Sequence, residues 1–228
     1  MDTIVYNINQ IRQQIKNAAC LSGRDESGIK LVAVTKTVDY DAARECYEAG
    51  VEDLGENRVQ ELNRKIPHIP QAKWHLIGRL QTNKVKDIVG KVVLIHSMDS
   101  WHLAEEINKR YQQAGLYAPV LLQVNVSGEQ QKAGVNPNEV ESFLDSVGEL
   151  KALRIKGLMT IAPEVENSEE TRPVFRELYE LKRSAANKKF KNVEMDFLSM
   201  GMSQDYEIAV QEGSNIVRIG SAIFRHNN

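Results

Sequence analysis

Two cysteines are all the chain has, and Cys20 and Cys46 stand in no CxxC spacing and beside no companion ligands. Their scarcity argues against a disulfide scaffold or a cysteine zinc site and leaves reduced, structural thiols on helices. Long apolar runs are missing too. Nothing approaches the roughly 18 residues of a membrane span, and the opening stretch MDTIVYNINQIRQQIK has an acid at position 2 and no apolar centre. A cytoplasmic protein with no membrane partner is expected. Charge of one sign is not in excess, since 29 basic and 31 acidic residues are interspersed to a net charge of -2. That pattern offers no basic face for nucleic acid. His68, His96, His102 and His226 are scattered without metal-ligand spacing, so no metal is expected. Small molecules remain as the expected partners.

What the chain does have is alternation. Val5, Ile8, Ile11, Ile15 and Ala19 recur at helical spacing and predict an amphipathic helix over residues 3–22. Short apolar runs then predict strands at 31–36, 52–55, 73–78, 92–95, 119–126, 154–160, 194–199 and 215–220. Helical patterns fall between them. Asp39 suits the N-cap of a helix running to Ala49 before Gly50, and others are predicted at 57–66, 82–90, 99–114, 137–150 and 204–211. Phe175, Leu178, Leu181 and Ala185 mark the core face of one more, ending before Lys188. No linker rich in Pro, Gly or Ser divides the 228 residues, which predicts a single domain over 1–228. Eight strands alternating with helices predict a parallel sheet closed as a (β/α)8 TIM barrel, with the first helix as an addition. An open doubly wound sheet would want a Gly-rich fingerprint after an early strand, and Thr35-Lys36-Thr37-Val38 has none.

The run Leu31-Val32-Ala33-Val34-Thr35-Lys36 is the centre of the chemical reading. With a two-residue repeat, Val32, Val34 and Lys36 share one face, which carries an amine inward beside valines. A desolvated amine is partly neutral and nucleophilic toward aldehydes, so Schiff-base formation is one reading. A strand-end lysine that snorkels to water is the other. In a barrel, chemistry gathers at the C-terminal strand ends, and phosphate often binds after strands seven and eight. There the sequence has Ser199-Met200-Gly201-Met202-Ser203 and Arg218-Ile219-Gly220-Ser221, with small residues that let backbone approach an anion. Taken singly, Ser203 reads as an N-cap and Gly201 and Gly220 as turn residues. Arg218 shares a face with Gly220 and is expected in the barrel mouth, either donating to a ring nitrogen while leaving it unprotonated or paired with Asp196 or Glu56. Asn57 with Gln60 has capping-box spacing, and Asn57 could also face a ligand from its strand end. His75 and Met159 are candidates for the mouth or for core packing. The acid run from Glu164 to Glu170 reads as a solvated loop and helix start.

Taken together, LVAVTK, GENRVQE, WHLIGRLQTNK, LLQVNVSGEQQKAG, IKGLMTIAP and LSMGMSQDYEIAVQEGSNIVRIGSAIF resemble the pyridoxal phosphate homeostasis protein family, over essentially the whole chain. The resemblance implies pyridoxal 5′-phosphate as cofactor, held as a Schiff base on Lys36. It implies phosphate ligands from Ser199 to Ser203 and from Gly220 and Ser221, Arg218 facing the pyridine nitrogen, and Asn57 near the ring. It also implies a role in vitamin B6 balance without robust turnover, with a monomeric chain and apo pyridoxal phosphate-dependent enzymes as recipients. Full-length alanine racemases, which this barrel also resembles, add a β-rich domain bringing a tyrosine base to the opposite face of the cofactor. Racemisation needs proton removal on one face and delivery on the other, so binding and release is the first expectation and a racemase of narrow range the alternative. A class I aldolase is a third reading, distinguished by lacking a coloured cofactor.

Overall fold

Parallel pairing closes on itself around the molecule. In the computed structural model β1 (Lys30–Val34), β2 (Asp53–Glu56), β3 (Lys73–Leu76), β4 (Leu94–Met98), β5 (Ala118–Gln123), β6 (Leu153–Met159), β7 (Val193–Ser199) and β8 (Ile216–Ile219) follow one another in chain order. β8 then returns to β1, with Arg218 beside Val32 and Ile219 beside Ala33. The predicted eight-stranded barrel is the fold found. Residues 3–129 and 131–225 are described; Asp2 and His226, read above from sequence, and Gln130 of the 127–136 loop lie outside the described residues.

Alternation of side chains splits each strand into an inward and an outward set. Val32, Leu94, Leu121, Met159 and Ile216 meet inside the barrel, with Phe197 against them. Their neighbours Ala33, Leu54, Trp74, Ile95, Leu122, Leu158, Leu198 and Val217 face outward and pack under the helices. Those helices are α2 (Tyr40–Glu48), α3 (Val59–Lys65), α4 (Trp101–Gln113), α5 (Val140–Val147), α6 (Arg172–Asn187), α7 (Tyr206–Gln211) and α8 (Ser221–Phe224). The added helix α1 (Thr3–Leu21) buries Ile8, Ile11 and Ile15 against α7 and α8, at about 1.5–3 kcal/mol for each such side chain. Asn7 Nδ2 fastens it by donating to the carbonyl of Ile223 at 2.9 Å. Among the described residues no helix is long and apolar enough to cross a membrane.

Asp39 caps α2 as expected, accepting from the Ala42 N–H at 3.0 Å. Cys46 on α2 is buried, and burial pushes its thiol up to about 12. Several boundaries differ from the expectation. β1 stops at Val34, and Thr35, next in the outward phase, donates its hydroxyl to Glu56. The predicted 82–90 helix is a 3-10 helix over Thr82–Asp87, and the fourth strand starts later and runs to Met98. The 137–150 helix opens as a 3-10 turn, Pro137–Glu139, before α5. The acid run is largely exposed: Asn167 caps a 3-10 turn there and Glu169 pairs with Arg172.

Candidate functional site

The inward residues at the C-terminal strand ends enclose a cavity of about 890 Å³. Lys36, Asn57, Met202, Ser203, Arg218, Gly220 and Ser221 all line it, although they come from the ends of four different strands. The two-residue repeat places Lys36 in phase with Val34, which lines the same wall. Its burial does not follow. Lys36 is exposed, because it sits two residues past the end of β1 at the cavity rim. The desolvated amine of the sequence reading is therefore corrected to an amine that reaches the cavity from solvent.

The chain just before Lys36 is anchored from outside the barrel. Lys65 Nζ donates to Glu56 Oε1 at 2.5 Å and to the carbonyl of Thr35 at 2.6 Å, with both charged side chains fully withdrawn from water. Thr35 Oγ1 donates to the same carboxylate oxygen at 2.6 Å, while Glu56 Oε2 is buried without a partner. Sequence reasoning missed this group. The available signal was a carboxylate on the outward face of β2, opposite Gly55 and Asn57, where an apolar side chain would pack.

Asn57 is no capping residue: α3 begins after Arg58, and no side chain caps it. Asn57 instead continues the inward phase of Gly55 into the cavity wall. Gly78 makes room for that segment, since a Cβ there would stand 2.3 Å from the Asn57 carbonyl oxygen.

The loops after β7 and β8 are joined to each other. Ser203 Oγ accepts from the N–H of Ala222 at 3.2 Å, and the N–H of Arg218 donates to the Gly201 carbonyl at 3.0 Å. Asp205 Oδ1 accepts from the N–H of Met202 at 2.6 Å. Gly201 has φ +93, and a Cβ there would meet Ala209 Cβ at 2.6 Å, so this turn requires glycine. None of the hydrogen bonds among the described residues engages the N–H of Ser203, Gln204 or Ser221, which leaves three backbone donors at the cavity edge. Ser203 therefore bridges the two loops and is not an N-cap.

Arg218 is buried at the base of this cavity. Its Nη1 donates to Ser199 Oγ at 2.6 Å and its Nη2 to the Thr160 carbonyl at 2.9 Å. Neither Glu56, which is paired with Lys65, nor exposed Asp196 is its partner. Burial lowers the guanidinium to about 10, opposed by the charge of Asp205, so it stays protonated at neutral pH. Burial also raises the Asp205 carboxyl, against the Met202 hydrogen bond and Arg218.

Ser199, Met200 and Gly201 do not line the cavity, nor do the two candidates from strands three and six, and Met200 packs outward in the core under the helices. Met159 packs in the inner layer. His75 faces inward and is turned away from the mouth: its Nδ1 is 2.9 Å from His96 Nε2 and its Nε2 is 2.8 Å from Asp53 Oδ1. His96 Nδ1 in turn lies 2.9 Å from Ser199 Oγ. His96, passed over in the sequence as a scattered histidine, thus links Arg218 to the far end of the barrel. No group of residues suited to a metal ion occurs among the described residues.

These features can be set beside known proteins. A family model described as alanine racemase, N-terminal domain, matches residues 1–228. A pyridoxal phosphate homeostasis protein of Aquifex aeolicus is 45% identical, over 95% of this chain and 95% of its own. Among solved structures, an unknown protein from Bifidobacterium adolescentis superposes with a TM-score of 0.92 at 33% identity, covering 97% of this chain and 94% of that one. PipY of Synechococcus elongatus, solved with PLP bound, gives a TM-score of 0.77 at 34% identity, covering 93% and 100%. The chain belongs to the pyridoxal phosphate homeostasis protein family, built on a barrel of the alanine racemase N-terminal type.

Proposed function

We propose that the chain binds pyridoxal 5′-phosphate in the C-terminal cavity, holds it as a Schiff base on Lys36, and serves vitamin B6 homeostasis as a carrier without robust turnover. The observation that carries this reading is the meeting of an amine, a joined pair of small-residue loops and a buried guanidinium on one cavity of about 890 Å³. The residues fit the group. The N–H donors of Ser203, Gln204 and Ser221, with the hydroxyl of Ser221, suit a phosphate. Gly220 lets this loop lie close against β1, since a Cβ there would crowd the Val34 carbonyl at 3.1 Å. Arg218 presents only donors, so it suits an unprotonated ring nitrogen. Asn57 lines the wall and suits a place near the ring, while Ser199 holds Arg218 and Met159 packs in the inner layer of the barrel.

When bound, the cofactor supplies an aldehyde carbon and an electron-withdrawing ring. As an electron sink it gains from a protonated ring nitrogen, usually held by an acid. Arg218 supplies no such acid. Relatives named for pyridoxal phosphate homeostasis support storage and delivery; the proposal adds apo pyridoxal phosphate-dependent enzymes as recipients and a monomer in the cytoplasm. Borohydride reduction followed by peptide mapping tests the attachment. A pyridoxyl label on Lys36 is the expected result, and a label elsewhere or none would reject it.

Racemisation is the second reading, favoured by the family model. No tyrosine lines the cavity among the described residues, so the tyrosine base of the full-length racemases has no counterpart there. Exchange of the alanine Cα proton for deuterium would decide in favour of the racemase.

A further inference from the structure

A line of polar side chains crosses the otherwise apolar barrel interior. It begins at Asp53, at the N-terminal end of β2, where the carboxylate borders a second cleft of about 680 Å³ at the opposite end of the barrel from the mouth. It passes through His75 on β3, His96 on β4 and Ser199 on β7 to Arg218 on β8, with successive separations of 2.8, 2.9, 2.9 and 2.6 Å. Both histidines, Ser199 and Arg218 are buried.

Asp53 at one end can only accept and Arg218 at the other can only donate, and with one proton on each histidine these two ends set the direction of every hydrogen bond between them. Burial by itself would raise the Asp53 carboxyl, but the hydrogen bond from His75, with Lys30 and Lys73 nearby, holds it below its ordinary value. It is therefore an ionised acceptor, and His75 Nε2 donates to it. With one proton on each imidazole, His75 offers Nδ1 as an acceptor, so His96 donates from Nε2 and in turn offers its own Nδ1. Ser199 donates its hydroxyl proton to that nitrogen and keeps its oxygen free to accept from Arg218. Burial above all holds His96 well below the usual imidazole range, which agrees with a neutral ring. All four bonds run one way. Reversing His96 would aim a second donor at Ser199 Oγ and leave the serine proton without the imidazole acceptor.

We infer that Asp53, His75 and His96 are positioning residues, which keep Ser199 an acceptor so that Arg218 is held on two arms with its remaining N–H groups toward the cavity. The inference rests on the reading in which Arg218 faces the cofactor ring. It adds that a carboxylate at the far end of the barrel governs how that ring is held. Buried chains of this kind polarise one another, so a change at one end reaches the other without a shift in backbone.

The test uses the full chain with 15N-labelled histidine. In protein free of cofactor, the two-bond proton couplings should report the Nε2–H tautomer for both His75 and His96. In Asp53→Asn the end group can donate as well as accept, and His96 should lose its single tautomer. With pyridoxal 5′-phosphate added, Asp53→Asn should move the absorption band of the bound cofactor and raise its dissociation constant roughly threefold or more. Asp53→Glu, which restores an ionised acceptor, should recover much of the change. Two results would overturn the inference: an Nδ1–H tautomer at His96 in the unaltered protein, or an Asp53→Asn protein whose band and affinity are unchanged while Arg218→Ala alters both. If the unaltered protein takes up no cofactor while its histidines show the expected tautomers, the functional reading falls, and the positioning role toward the ring falls with it.

Discussion

The ammonium of Lys65 stands 2.6 Å from the carbonyl oxygen of Thr35, the residue that precedes Lys36. A buried charge on the outer side of the sheet thus fixes the backbone that carries the cavity amine on the inner side. Lys65→Met would strand Glu56 as an uncompensated buried carboxylate and should cost about 3–5 kcal/mol. Lys65→Met combined with Glu56→Leu should recover most of that loss, because breaking a buried pair costs more than replacing it. Urea unfolding of the two variants measures the difference.

Lys36 is exposed and donates no hydrogen bond among the described residues. Lys36→Ala should therefore change stability by no more than about 0.5 kcal/mol. It should also abolish the borohydride-trapped label while leaving weaker, phosphate-anchored binding. A cofactor spectrum identical to that of the unaltered protein would sink the Schiff-base assignment.

Ser203 holds the two anion-facing loops together through the Ala222 N–H. Ser203→Ala should speed cofactor release by roughly three- to tenfold, as expected for one lost hydrogen bond. Because the residue is only partly buried, the melting temperature should barely move. Stopped-flow transfer to an apo enzyme gives the rate.

His96 is neutral in the folded chain, with its imidazole held well below the ordinary range by burial above all. The unfolded chain binds a proton there below about pH 6.5 and the folded chain does not, so stability is level above that pH and falls beneath it by about 1.4 kcal/mol per pH unit. Asp53 acts in a different window. Its lowered carboxyl contributes stability that is present above about pH 3.9 and is lost in stronger acid. Denaturant titrations between pH 5 and 8 isolate the histidine, and His96→Gln should flatten the slope.

Much of the barrel was legible because it depends on local pattern: eight apolar runs separated by helical spacings leave few other closures. The inward phase of Val34 and Arg218 was legible for the same reason, since strand alternation needs no knowledge of neighbours. Exposure was not. Whether Lys36 is buried depends on where β1 stops, and the chain there is held by contacts distant in sequence, such as that of Thr35 with Glu56 twenty-one residues away. Asn57 misled through a capping-box spacing, because the helix start fell one residue later, at Arg58. The link from His75 to His96 was hidden altogether. It is a contact between separate strands, and each histidine alone looks like a core residue.

The position of Lys36 on the rim has a consequence for exchange. An amine that already stands in water can take up or surrender a carbonyl compound without any part of the barrel opening. Traffic at this site is then governed by how firmly the loops grip the other end of the molecule, and two hydroxyls on the surface become the valve.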